Sequence, residues 1–220
     1  MFGNGSSGRS GGGGNGGDGS GGDGPKPDNF SDSEQEAPDK AKFVTWFLLL
    51  VVLMTFGGLL GAYVVISTNG AAEWRPFELP IQVWFSTVLI IVSSITYQLA
   101  KNALFASRFE LSRKMFIATT VLGAAFISSQ LLVWLALVNR GLYMSGNPYA
   151  GFFYILTAAH AVHVLGGIVA LGAVLLRNWN ETAYGPELLY RRNLARSVGW
   201  YWHFMGVLWI VLFVMLGFWK

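Results

Sequence analysis

The chain has 220 residues, of which 53% are hydrophobic, 15% aromatic and only 12% charged. A soluble domain carries about 25% charged residues, so this composition argues against a soluble globular enzyme and for a chain that spans a bilayer. Cysteine is absent, which excludes disulfide frameworks, cysteine-based zinc sites, iron–sulfur clusters and cysteine nucleophiles.

The net charge of +3 is unevenly spread. Residues 1–38 hold two basic and six acidic residues, and the remainder holds thirteen basic and six acidic. The positive charge falls in loops between apolar stretches, so it is not a nucleic-acid patch.

Residues 1–38 form the first predicted unit. Thirteen of the 28 glycines lie within Gly3–Gly24, interleaved with Ser, Asn and Asp. Such a segment has little apolar surface to offset its ordering entropy and is expected to be a flexible, disordered coil. It lacks the basic start and short apolar core of a signal peptide, and its acids set it apart from a transit peptide. Its role stays open between none and a weak tether.

The second unit, residues 39–220, reads as a membrane domain. Five stretches carry no Asp, Glu, Lys or Arg: 43–67, 79–100, 115–138, 151–176 and 198–219. About 20 apolar residues cross the hydrocarbon core as a helix, so each can span, most with some tilt. Barrel strands would alternate and be about half as long. The expected fold class is therefore all-α, a bundle of five transmembrane helices. Pro80 opens the second stretch, where its missing N–H would be unpaired anyway, and Gly151 opens the fourth.

Five spans put the two ends on opposite sides. The tail and the loops 101–114 and 177–197 share one side with twelve Lys and Arg, against Arg75, Arg140 and Lys220 on the other. The positive-inside rule then places the N-terminus in the cytoplasm and the C-terminus outside. Trp74, Trp84 and Trp219 are expected at the outer interface, and Trp179, Trp200 and Trp202 at the inner one.

Ionisable groups inside a membrane are expensive and mark function, and here only three histidines qualify. His160 and His163 lie in the fourth stretch and His203 in the fifth. At i and i+3, His160 and His163 share a helix face. Zinc needs three or four ligands, and at membrane depth His203 alone could add to the pair. A haem held between the last two spans would need ligands at like depth. His163 lies 13 residues from its inner end and His203 five from its own, about 12 Å apart along the normal. The favoured reading is neutral core histidines packed against Ser, Thr or Gln of neighbouring helices. Ser93, Ser94, Thr96, Gln98, Ser128, Ser129 and Gln130 supply such groups.

Gly57, Gly58 and Gly61 form a small-xxx-small set in the first span and read as helix packing. Gly166, Gly167 and Gly172 in the fourth span and Gly123 in the third read the same way. No phosphate loop, nucleotide fingerprint or Ser–His–Asp set with usable spacing occurs.

Two C-terminal motifs together resemble subunit III of haem–copper terminal oxidases (cytochrome c oxidase and the related quinol oxidases). SGNPYAGFFYILTAAHAVHVLGG, 145–167, is similar to the family segment FYxLTGxHxxHVxxG. Its matches are Tyr154, Leu156, Thr157, His160, His163, Val164 and Gly166. YWHFMGVLWIVLFVMLGFW, 201–219, is similar to the family's last helix, through Tyr201, Trp202, His203, Phe204, Trp209, Leu212 and Phe213. MTFGGLLGAYVV, 54–65, resembles the opening helix of five-helix members, and Ser93, Ser94 and Gln130 fall where the family has them. The resemblance spans about residues 43–220.

Two positions depart from the family. Val52 stands where many members carry a buried carboxylate, and Gly206 where the last helix usually has Asp. A role tied to those carboxylates does not transfer.

The resemblance implies a five-helix accessory subunit that itself holds no haem, copper or other metal and has no catalytic residue. It implies that subunit I is the main contact, with subunit II and further subunits in the complex, bound phospholipid, and support of sustained turnover and proton uptake. The expected place is a bacterial cytoplasmic membrane. His160, His163 and His203 are expected to hold interhelical hydrogen bonds, and a small-residue face to dock on subunit I. A quinol oxidase subunit or a nitric-oxide-reductase-associated paralogue is the alternative, and a stand-alone transporter is the alternative from another class.

Overall fold

Uncharged runs without interior proline satisfy their backbone in lipid by becoming α-helices. The structure is a computed structural model that describes residues 30–69, 74–145, 147–179 and 185–219. Among these residues it has five helices and no strand: α1 (Phe30–Thr68), α2 (Ile81–Phe105), α3 (Phe109–Asn139), α4 (Pro148–Arg177) and α5 (Pro186–Phe218). All five contain a stretch long and apolar enough to cross a membrane.

The helices outrun the uncharged stretches. α2 continues through Lys101 to Phe105, α3 starts six residues early at Phe109, and α5 starts at Pro186 inside the expected loop 177–197. Charge marks where the hydrocarbon ends, whereas the helix ends where backbone and capping residues stop it. α4 accordingly opens at Pro148, not Gly151, behind Asn147, whose side chain accepts from the Tyr149 N–H at 3.0 Å. Asn147 also exchanges hydrogen bonds with the backbone of Arg75, which ties the α1–α2 connection to the start of α4.

α1 begins at Phe30, within the residues 1–38 read from the sequence as a tail. The extension runs through Pro38, which has no N–H to give. Residues 1–29, the remainder of that expectation, lie outside the described residues.

α2 to α5 close into a ring in chain order: α2 packs on α3, α3 on α4, α4 on α5 and α5 back on α2. α1 stands outside the ring against α4 and α5. Three residues, 106–108, join α2 to α3, with Ser107 in the left-handed region (φ 57°). Buried aromatics fill the ring, among them Tyr97, Phe116, Phe126, Phe153, Trp202 and Trp209.

Candidate functional site

The two C-terminal motifs meet inside this ring. Trp202 is 2% exposed and donates its indole N–H to Ser93 Oγ at 3.1 Å. Its ring fills the gap between α3 and α4. A Cβ added to Gly123 would stand 2.8 Å from Trp202 Cη2, and one added to Gly167 3.2 Å from its Cε3 and Cζ3. Glycine at both positions admits an indole that a Cβ at Gly123 would force to shift and one at Gly167 would crowd. The expectation of Trp202 at the interfacial belt is therefore corrected: the ring lies on the bundle side of α5, with Ser93 Oγ accepting its N–H.

Trp209, two turns on, donates to Thr87 Oγ1 at 3.1 Å and meets Phe126 edge-on, ring centres 4.9 Å apart. Trp134 of α3 donates to Thr157 of α4 at 3.1 Å. Trp134, Trp202 and Trp209 thus each pair their one polar atom with a hydroxyl on a neighbouring helix, which burial of an indole requires.

The histidines divide. His160 is fully buried, ringed by Phe56, Phe126 and Trp209 at centroid distances of 6.3, 5.7 and 5.2 Å. Neither of its ring nitrogens has a hydrogen-bond partner, and neither polar atom of buried Gln130 has one. His163 lies beside Phe56 at 5.4 Å, and its Nδ1 donates to the Ala159 carbonyl of its own helix at 2.7 Å. His203 alone reaches a neighbouring helix, sharing a 2.5 Å hydrogen bond between Nδ1 and Ser94 Oγ of α2. The expected interhelical bonds therefore hold for His203 and not for the rings of His160 and His163. The geometry explains this: His160 points at aromatic rings, and His163 turns back on its own backbone. Among the described residues no three His, Asp or Glu side chains gather as a metal ion would need.

Tyrosines do the bridging that the histidine pair does not. Tyr201 donates to the His163 carbonyl (2.8 Å), Tyr97 to Ala195 (2.7 Å), Tyr149 to Leu216 (2.5 Å) and Tyr63 to Trp219 (2.7 Å). Tyr154 donates to Leu142 beyond the end of α3 (3.0 Å). Sequence reasoning picked out Tyr154 and Tyr201 but passed over Tyr63, Tyr97 and Tyr149. Depth gave no signal, because all three lie within about a turn of the ends of the uncharged stretches, where an interfacial tyrosine is equally expected. Gly199 was missed as well, and a Cβ there would meet Tyr97 Cε1 at 2.8 Å.

The first-span glycines behave differently. A Cβ at Gly57, Gly58 or Gly61 would meet nothing within 4 Å. Val52, Phe56 and Tyr63 form the buried face of α1. Met54, the three glycines and Val65 are exposed on the opposite face. Within this chain Gly57, Gly58 and Gly61 pack against nothing, because α1 turns its larger residues inward. Gly172 is open in the same way, and exposed Gly166 meets only the Tyr201 hydroxyl at 3.9 Å. Val52, at the place of the family carboxylate, packs into the core one turn before Phe56. Gly206 is buried, with Ile90 Cγ1 4.0 Å from where a Cβ would stand.

Known proteins carry the same pattern. The family described as cytochrome c oxidase subunit III matches residues 45–220. "Cytochrome c oxidase subunit 3" of Corynebacterium diphtheriae is 32% identical over 186 residues, 82% of this chain and 89% of that protein. "Probable cytochrome c oxidase subunit 3" of Nocardia farcinica is 30% identical over 184 residues, again 82% and 89%. "Heme-copper oxidase subunit I+III" of Aeropyrum pernix is 24% identical over 183 residues, 80% of this chain and 22% of that protein. With a family match over four-fifths of the chain and relatives of nearly the same extent, this multi-pass membrane protein belongs to the cytochrome c oxidase subunit III family.

Proposed function

We propose that the chain is the non-redox accessory subunit III of a bacterial respiratory haem–copper oxidase in the cytoplasmic membrane, N-terminus inside. It packs on subunit I, which carries the haem and copper, and supports sustained proton-coupled oxygen reduction there. One observation carries the choice of partner. In the Aeropyrum pernix relative, named for subunits I and III together, the stretch like this chain is joined to the remainder of an oxidase in one polypeptide. The open face of α1 suits the dock, because Gly57, Gly58 and Gly61 leave its backbone uncovered and small residues let helices approach closely in lipid. The indole N–H groups of Trp134, Trp202 and Trp209 and the hydroxyls of Tyr97, Tyr149 and Tyr201 are spent on holding helices together, which fits a supporting role. The twelve-to-three bias in Lys and Arg supports the orientation.

The test is purification of the tagged chain from its native membrane in mild detergent, with an optical spectrum and peptide identification. A larger haem-bearing subunit is expected to accompany it. The spectrum with cytochrome c or quinol as reductant separates a cytochrome c oxidase from a quinol oxidase or a nitric-oxide-linked complex. A chain that emerges alone and colourless overturns the reading. Complex stripped of the chain is expected to start turnover normally and then inactivate early; full activity through prolonged turnover would count against the supporting role.

A further inference from the structure

Side-chain polar atoms inside the ring of helices are paired across it: Trp202, Trp209 and Trp134 donate to Ser93, Thr87 and Thr157, and Ser86 bonds to Ser129 at 2.7 Å. Among the described residues seven buried side-chain atoms lack a hydrogen-bond partner. Three of them belong to Trp74 before α2, Asn178 at the end of α4 and Arg192 in the opening turns of α5, all toward the ends of the bundle. The other four are the two ring nitrogens of His160 and the two amide atoms of Gln130. These two residues are 0% and 2% exposed and lie deep within α4 and α3.

The packing of α3 on α4 brings them to one level. Phe126, Gln130 and Trp134 recur every four residues and share one face of α3. Phe126 meets His160, ring centres 5.7 Å apart, while Trp134 bonds to Thr157 and meets the Tyr154 ring at 6.1 Å. α3 and α4 run antiparallel, so Gln130, midway between those contacts, stands opposite the turn that carries Thr157 and His160. The amide and the imidazole nevertheless do not bond each other. Thr157 spends its proton on the Phe153 carbonyl (2.6 Å) and accepts from Trp134, which leaves its oxygen one lone pair. Phe56 of α1, itself fully buried, and Trp209 of α5 close the sides of His160 at 6.3 and 5.2 Å. Neither lipid nor bulk water touches the imidazole.

We propose that Gln130 and His160 hold one ordered water molecule between α3 and α4, with the free lone pair of Thr157 as its third partner. Polar side chains at this depth have no solvent to turn to, and buried ones are paired with protein or ordered water. A buried water makes about three hydrogen bonds, and this turn offers three polar side chains. A neutral imidazole brings one donor and one acceptor, and the amide two donors and one acceptor, so the water is satisfied in either orientation. The other ring nitrogen of His160 stays among Phe56, Phe126 and Trp209. A bridging water is nearly as favourable as a direct bond. It joins α3 to α4 at the level where the imidazoles of His160 and His163 reach no other helix. The site lies wholly within this chain and does not depend on which complex the chain serves.

The test is a crystallographic or electron-microscopic map that resolves ordered water, for the protein as it leaves the native membrane and for Gln130→Met. Methionine keeps the length of the side chain and removes its polar atoms. The native map is expected to show one peak within hydrogen-bonding distance of both His160 and Gln130. That peak should be missing from the variant, which should melt about 3 °C lower. A direct bond between imidazole and amide in the native map overturns the proposal in favour of a plain side-chain pair. Native side chains with no peak between them overturn it in favour of a dry core. A peak that persists in Gln130→Met overturns the part given to Gln130. Melting supplies a second readout. Gln130→Met together with His160→Leu should lower the melting temperature no further than the larger single change, because each strips the same bridge. Additive losses overturn the proposal, and the native map decides it alone if a variant fails to fold.

Discussion

α1 and the α2–α5 ring are both apolar, both helical and both rich in glycine, yet their glycines do opposite things. In the ring, Gly123, Gly167 and Gly199 are pressed against Trp202 and Tyr97, with no room for a methyl group until a ring moves. In α1, Gly57, Gly58 and Gly61 face outward with nothing near them. Burial follows: 22% of the most apolar window of α1 is buried inside the chain, against 44% for α5. A glycine pattern therefore marks a surface where backbone comes close to something, and does not say whether that something is the chain's own tryptophan or another molecule.

The largest effect that could break this contrast is expected at Gly123. Gly123→Leu drives a side chain into Trp202 and should cost about 3 kcal/mol, the upper range of overpacking. Its readout is the melting temperature of the purified protein and its level in the membrane. If Gly123→Leu melts like the native chain, the indole does not fill that gap. Next comes Trp202→Phe, which leaves a void between α3 and α4 and removes the N–H donated to Ser93 Oγ; about 2 kcal/mol should be lost. Ser93→Ala combined with it should cost less than the sum of the two single changes, because the partners share one bond.

A smaller effect is expected for Tyr97→Phe, which removes the donor to the Ala195 carbonyl and should cost about 1 kcal/mol. Hydrogen exchange at the start of α5 would rise with it; unchanged exchange would mean that the bond is not formed. The smallest is Gly57→Ala on the open face of α1. It should leave the melting temperature of the isolated chain the same or raise it slightly, since alanine is the better helix former by up to about 1 kcal/mol. Gly61→Leu sharpens the contrast further. The isolated chain should remain stable while recovery of the other oxidase subunits falls, and an unaltered recovery would remove α1 from the dock.

The family motif was readable residue by residue, while the partners of its residues were not. His160 and His163 stand three apart and both touch Phe56, as helical spacing requires. Spacing along one helix could not say that His160 would bond to no neighbouring helix, or that His203 would find Ser94. Those pairings depend on how α2, α4 and α5 are rotated about their axes. The same rotation took Trp202 from the expected interface into the core, since a tryptophan near a helix end satisfies the belt pattern and the buried pattern equally well.

What the amino-acid sequence determined by itself is the number of spans and their approximate extent. Lipid tolerates neither charge nor unpaired backbone, so long uncharged stretches leave the helix as the only solution. It also carried the two motifs that place the chain in its family. Tertiary structure decided which glycines are clamped and which are bare, which histidine reaches a neighbour, and that Arg192 and Arg196 converge on Phe105. These are matters of helix rotation and antiparallel register. Apolar side chains have little preference between lipid and one another, so hydropathy alone does not specify which face turns inward. Close packing around Trp202 and the tyrosine-to-carbonyl bonds across helices do.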